Sequence, residues 1–173
     1  MKTLVVYKSK SGFTKKYAEW ISRQLEAEMR EASKVTVETL SDYDTVIYGG
    51  GLYAGGISGV KLITKNLERL KGKKIAVFAT GASPAREEVI NEVRNNNFTP
   101  EQQKQIRFFY LRGGFDFNKL TLFNKGIMSI MKLCLKKTKN PTPDDLGMLA
   151  AFDHPVDFTD EKNTKDLISY INL

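Results

Sequence analysis

At 173 residues, 41% of them hydrophobic and with a formal charge of +7 at neutral pH, the chain is long enough for one domain with a substantial core. Cys134 is its one cysteine, which excludes an intrachain disulfide and any cysteine-built metal site and suits a reducing compartment. No apolar run approaches the roughly 18 residues of a membrane span, and Met1-Lys2-Thr3-Leu4 leads into a strand pattern rather than a secretion signal. A soluble, cytoplasmic protein is the expectation.

In chain order, strand and helix patterns alternate. Thr3 to Tyr7 is a run of β-formers with no 3.6-residue period, as in a strand buried on both faces. Thr14 to Met29 sets Tyr17, Ala18, Ile21, Leu25 and Met29 on one helical stripe. Val35 to Thr39 reads as an edge strand and Thr45 to Tyr48 as a central one. Val60, Ile63, Leu67 and Leu70 repeat at helical spacing, and Gly72 closes that helix. Ile75 to Ala79 is the fourth strand, Ala85 to Asn95 a helix with Pro84 near its start, and Ile106 to Leu111 the fifth strand. Thr164 to Leu173 is the last helix. The pattern implies a doubly wound parallel sheet of five strands.

The turn after the first strand, Ser9-Lys10-Ser11-Gly12-Phe13-Thr14, carries the strongest chemical signal. It stands between a strand and a helix, so backbone N–H groups and the positive end of the helix dipole converge there. Ser9, Ser11 and Thr14 add hydroxyl donors. Gly12 lets the backbone come close to an anion. No Walker A run occurs anywhere in the chain, so NTP hydrolysis is not expected. Gly49-Gly50-Gly51-Leu52-Tyr53-Ala54 fits a dinucleotide fingerprint formally, but the helical pattern starts only near Gly59 and no strand ending in an acid follows at the required distance. Two readings of the Ser9–Thr14 turn stay open: a loop for the monoester phosphate of FMN, and an ordinary polar helix cap.

Ligands of doubly wound sheets sit beyond the carboxyl ends of the strands, at the switch point of the winding. Besides Ser9 to Thr14, two loops meet that criterion: Gly49 to Gly56, whose large side chains are Leu52 and Tyr53 among five glycines and Ala54, and Thr80-Gly81-Ala82-Ser83. A flat conjugated ring needs an aromatic or aliphatic face and small residues whose backbone reaches its polar edge.

With these motifs in place, nearly the whole chain resembles the flavodoxin family, whose phosphate motif Ser/Thr-x-Ser/Thr-Gly-x-Thr is matched by Ser9, Ser11, Gly12 and Thr14. The resemblance implies strand order 2-1-3-4-5 and noncovalent FMN. It implies cofactor contacts from Ser9, Lys10, Ser11, Gly12, Phe13 and Thr14, from Leu52, Tyr53, Ala54 and Gly55, and from Thr80, Gly81 and Ala82. The family's usual aromatic is missing at Thr80 to Pro84, which leaves one flavin face open to a substrate. No catalytic side chain and no metal site is expected, because no Ser/His/Asp or metal-ligand constellation occurs. His154, before Pro155, reads as a turn residue, and Asp144 and Asp145 after Pro143 likewise.

An insertion of about residues 113–147 follows the fifth strand, with a helix pattern from Leu122 to Lys137 that includes Met128, Met131 and Leu135. Cys134 reads as a small buried hydrophobe on it. The insertion is similar to that of the flavodoxin-fold branch containing menaquinone-dependent protoporphyrinogen dehydrogenase. Residues 104–139 hold nine Lys or Arg against Asp116 alone, a net +8, so the rest of the chain sums to −1. Flavodoxins that shuttle electrons are usually acidic. This chain is instead expected to meet a redox partner protein or a small-molecule substrate, with peripheral contact to an anionic membrane. No nucleic-acid module is recognisable, so no nucleic-acid partner is expected. Three functions follow: an FMN-binding electron-transfer protein, an FMN-dependent oxidoreductase of the protoporphyrinogen dehydrogenase type, or a flavin-free interaction module.

Overall fold

The computed structural model describes residues 2–120 and 122–173. In chain order the elements are β1 (Thr3–Lys8), α1 (Phe13–Gln24), β2 (Glu28–Glu31), α2 (Val37–Ser41), β3 (Thr45–Tyr53), β4 (Gly56–Ile57), α3 (Lys61–Thr64), β5 (Lys74–Gly81), α4 (Glu87–Asn97) and α5 (Pro100–Gln103). They are followed by β6 (Ile106–Arg112), β7 (Gly114–Phe115), α6 (Leu122–Lys137), α7 (Pro143–Asp153), β8 (Val156–Asp157) and α8 (Lys165–Asn172). The main sheet runs β2-β1-β3-β5-β6, with all of those pairings parallel. Counting only its long strands, this is the expected 2-1-3-4-5 order.

Side chains alternate across each strand, so the sheet has two cores. Leu4, Val6, Val46, Tyr48 and Val77 face one way, toward Leu40, Ile63 and Val93 of the covering helices. Val5, Ile47, Ala76 and Phe78 face the other way, toward Tyr17 and Ile21 of α1 and Leu167 and Ile171 of α8. Burial on both faces explains the continuous apolar runs of the central strands.

Several boundaries differ from the sequence reading, each for a local reason. The edge strand is Glu28–Glu31, not Val35 to Thr39, so the first helix stops at Gln24 and Met29 lies in β2. Thr36 instead caps α2: its side chain accepts a hydrogen bond from the Thr39 N–H, and the Thr39 side chain accepts one from the Thr36 N–H. The pattern of Val60 to Leu70 is α3 followed by a separate 3₁₀ turn. Asn66 interrupts it by donating its side-chain amide to the Leu62 carbonyl.

β3 continues through Gly49, Gly50 and Gly51, which pair in register with Phe78, Ala79 and Thr80. The expected loop from Gly49 to Gly56 is therefore a strand and a hairpin turn. Bare backbone is needed there because a Cβ on Gly49 would enter the Phe78 ring, and one on Gly50 would lie 2.7 Å from the Ser58 carbonyl. Close packing of neighbours accounts for the glycines at positions 49 and 50.

The insertion extends further than expected. Gly113 follows β6, and the main-chain N–H of Phe158 returns to the Gly113 carbonyl at 2.9 Å. Between them, β7 and β8 pair antiparallel, and Phe115, Ala151 and Phe152 form a small third core with Met128, Leu135 and Met148 packed against it. The segment from Pro143 is a helix rather than a turn. Thr142 caps it, Pro143 occupies its first turn, and the Asp145 carboxylate completes a capping box. Cys134, expected inside, is exposed.

Candidate cofactor site

The β1–α1 turn does not close its helix with an ordinary polar cap. Gly12 is the N-cap of α1 with φ +95°, in the left-handed region that a Cβ disfavours, and no side chain caps the helix. By contrast Thr36, Thr99 and Thr142 each cap a helix with a hydroxyl. In the α1 turn Ser9 Oγ accepts a hydrogen bond from the Gly12 N–H at 3.1 Å, which shapes the loop rather than closing the helix end. The first-turn N–H groups of a helix have no intrahelical partner, and here no side-chain cap substitutes. This removes the ordinary-cap reading.

The three loops predicted to meet do meet. The Thr14 and Thr80 hydroxyls lie 2.6 Å apart and share a buried hydrogen bond that joins the first loop to the third. Tyr53 at the end of β3 shares a hydrogen bond with the Ser11 side chain, and burial pushes its phenol above the ordinary range. Lys10 Nζ lies 4.4 Å from the centroid of the Tyr53 ring, so this lysine is held over the aromatic face. A Cβ placed on Gly51 would stand 3.4 Å from Tyr53 Cε2, 3.5 Å from Thr14 Oγ1 and 3.8 Å from Thr80 Oγ1. All three loops converge on that point.

Leu52 and Tyr53 point differently. Tyr53 lies toward Ser11, whereas Leu52 packs on the sheet core and faces Gly81, where a Cβ would come 3.0 Å from Leu52 Cδ1. Ala54 (φ +49°) and Gly55 (φ +78°) make the two-residue turn between β3 and β4. Asn97 pins it, donating to the Gly55 carbonyl and accepting from the Ile57 N–H, both at 2.8 Å. The third loop is held through its carbonyls. Gly81 accepts from the Gly113 N–H at 2.7 Å, Ala82 from Arg112 Nε at 3.3 Å, and Ser83 from the Tyr110 hydroxyl at 2.9 Å. Burial pushes the Tyr110 phenol up to about 12, so it stays protonated and able to donate.

These loops border one cavity of about 410 Å³. Of the predicted residues, Ser11, Phe13, Leu52, Tyr53, Ala54, Gly55, Thr80, Gly81 and Ala82 line it, while Ser9, Lys10, Gly12 and Thr14 belong to the turn beside it. The wall the sequence did not supply comes from the insertion. Leu120, Ile127, Met128, Met131 and Met148 add to its lining. Flexible apolar side chains of the insertion thus form a roof to the cavity. Met128 and Met131 recur at a spacing that marks one helix face, which was the available signal. Met148 was hidden because its helix begins with a turn-like Thr-Pro-Asp-Asp run.

Residues 4–142 match the family model described as flavodoxin domain. The chain belongs to this family. Among curated proteins, an uncharacterized protein of Methanocaldococcus jannaschii is 33% identical over 87 residues, covering 49% of this chain and 57% of that relative. The match thus takes in little more than half of that relative's length. Among solved structures, the chain is similar to two-electron reduced Megasphaera elsdenii flavodoxin at 16% identity and TM-score 0.44, covering 62% of this chain and 84% of that one. It is also similar to oxidised flavodoxin 2 from Bacillus cereus at 21% identity and TM-score 0.42, covering 75% and 99% of the two chains. A flavoprotein from Lactobacillus acidophilus, solved in complex with FMN, matches at 20% identity and TM-score 0.43, covering 64% and 91%.

Proposed function

We propose that the protein is an FMN-binding, flavodoxin-type electron-transfer protein that works in the cytoplasm with a redox partner protein or a small-molecule substrate. The observation that carries this reading is the uncapped, glycine-started α1 terminus standing directly beside a cavity of about 410 Å³. The residues fit the group in two ways. A phosphomonoester needs several converging donors and no Cβ at its closest approach, which the Ser9–Thr14 turn offers. A flat ring needs an apolar slot with backbone groups at one end, which Leu52, Tyr53 and Thr80 to Ala82 border.

When bound, FMN supplies the ability to take up and release electrons. The protein's part is to hold and shield it. Ser11 and Thr14 would bind the phosphate end, the Thr14–Thr80 pair keeps the two loops in register, and Arg112 and Tyr110 fix the third loop through its carbonyls. Met128, Met131 and Met148 exclude water from the remaining side.

A second reading, an FMN-dependent oxidoreductase of the protoporphyrinogen dehydrogenase type, is favoured by that roof, because a wall of movable methionines can admit a bulky apolar substrate. A flavin-free interaction module is the third. The visible absorption spectrum of the purified protein separates it from the other two, and porphyrinogen turnover separates those from each other. Affinity tests the cradle itself. Removing two hydroxyl donors to a charged group, each worth roughly 1.5 to 3 kcal/mol, should make the Ser11→Ala/Thr14→Ala variant bind FMN at least about a hundredfold more weakly. Thr14→Ser, which keeps its hydroxyl, should retain binding. Equal affinity of the double variant and the parent would refute the cradle assignment.

A further inference from the structure

The helix α6 is apolar on two sides, and only one of them is used. At 100° per residue, positions 124, 128, 131 and 135 share one face. Met128 and Leu135 of that face pack on the third core, and Asn124 and Met131 line the cavity. Positions 122, 123, 126, 130, 133 and 134 spread over the other side. There Leu122 is 88% exposed, Phe123 77%, Ile130 65% and Leu133 59%. A helix that merely covers a core places polar residues outside. Here four large apolar side chains stand in a row in water.

Positive charge accompanies this row. The helix α6 carries Lys125, Lys132, Lys136 and Lys137 and no acid, and Lys139 follows its end. Of the acids of the neighbouring α7, Asp144 pairs with Arg86, Asp145 completes the Thr142 cap, and Asp153 offsets Lys132 at 2.8 Å and lies near Lys136, which leaves Lys125, Lys137 and Lys139 of this stretch without an acid from α7. Among the described residues no helix is long and apolar enough to cross a membrane, so the helix can lie on a bilayer but not span one.

We propose that the outward face of α6 docks on an anionic lipid surface, seating Leu122, Phe123, Ile130 and Leu133 among the headgroups while the lysines meet lipid phosphates. Charge selects this occupant over a second copy of the chain. A twofold dimer would bring the same lysine-bearing, acid-free helix against itself, where like charges repel. A bilayer carries the opposite charge and also accepts a continuous apolar row that has no pocket of its own. The docked helix would be the roof of the cavity, so the cavity would lie immediately above the lipid. The docking itself does not depend on what fills the cavity.

Cys134, exposed on the same outward side and the sole cysteine, provides the probe position. The full chain, labelled there with an environment-sensitive fluorophore, is sedimented with vesicles of phosphatidylcholine alone or mixed with phosphatidylglycerol, at low and high salt. Binding should require phosphatidylglycerol, weaken at high salt, and shift the label's emission to the blue. In Phe123→Asp/Ile130→Asp, whose changes are on the surface, affinity should drop roughly tenfold or more with unchanged circular dichroism. Lys136→Glu/Lys137→Glu should weaken binding mainly at low salt. No sedimentation of the parent with anionic vesicles at low salt would overturn the proposal. So would salt-sensitive binding with no blue shift and no loss in the Asp variant, since charge alone would then suffice. Concentration-dependent dimers that Ile130→Asp abolishes, without vesicle binding, would assign the face to a second copy instead. Sedimented protein is read rather than flavin, so failure here is distinguishable from failure of the FMN reading.

Discussion

The sheet and the insertion use the same kinds of apolar residue to opposite effect. In the sheet, Leu4, Val5, Val46, Ile47 and Phe78 are fully buried, and the covering helices turn their polar faces outward. In the insertion the core holds three buried residues, while Leu122, Phe123, Ile127, Ile130, Leu133 and Leu146 stay exposed. The difference teaches that an apolar residue in a helical repeat identifies a face, not the partner of that face. Where a segment has more than its own core can take, the surplus is a statement about surroundings.

The comparison breaks most visibly if the two regions unfold together. Phe78→Ala empties a fully buried ring site in the sheet and exposes the backbone of Gly49 beneath it, so a loss of about 3 to 5 kcal/mol is expected in denaturant titration, with the whole chain affected. Phe152→Ala removes the ring that contacts Phe115 at 5.2 Å and Phe117 at 5.5 Å between centroids, and its effect should stay local. Amide exchange over residues 113–158 should accelerate, while the stability of the sheet shifts by less than about 1 kcal/mol. A loss equal to that of Phe78→Ala would show one cooperative unit and end the distinction.

Acid gives the smallest and most selective effect. Arg86 beside Asp144 and Lys132 beside Asp153 hold both carboxyls below their ordinary value of 3.8. Carboxyls depressed in the folded state add stability that is present above that ordinary value and is lost as pH falls through the lower folded values. Both pairs tie α7 to its neighbours, so brief pepsin digestion below about pH 3.8 should cut first within residues 113–158. In Arg86→Ala/Lys132→Ala that extra acid sensitivity should disappear; if the sheet were cut as early as the insertion, the pairs would not be acting on the insertion in particular.

The fold was legible where burial is two-sided. Strands such as Thr3 to Tyr7 and Ile75 to Ala79 read as continuous β-formers because both faces are covered, and the order of strands and helices left few topologies. The edge strand was not legible, since three of the four residues of Glu28-Met29-Arg30-Glu31 are charged and the strand is held by its pairing with Leu4 to Tyr7. Val35-Thr36-Val37 mimicked it with β-branched residues that in fact open a capped helix. In the site, the hydroxyl-rich turn announced itself through local chemistry. The roof did not, because whether Met128 faces a core, a cavity or water depends on contacts from residues twenty positions away.

The hydrogen bond from Phe158 to the Gly113 carbonyl has a consequence for how such a chain arises and changes. It brings the two ends of a 44-residue excursion, residues 114–157, within a single peptide's reach at the rim of the sheet. A stretch whose ends already meet adds little strain to its host, since the entropy of closing a loop grows only with the logarithm of its length. The excursion therefore behaves as a cassette. Ancestors could gain, lose or trade it at one rim position without redrawing the sheet, and the same seam offers a place to graft a different roof onto the same floor.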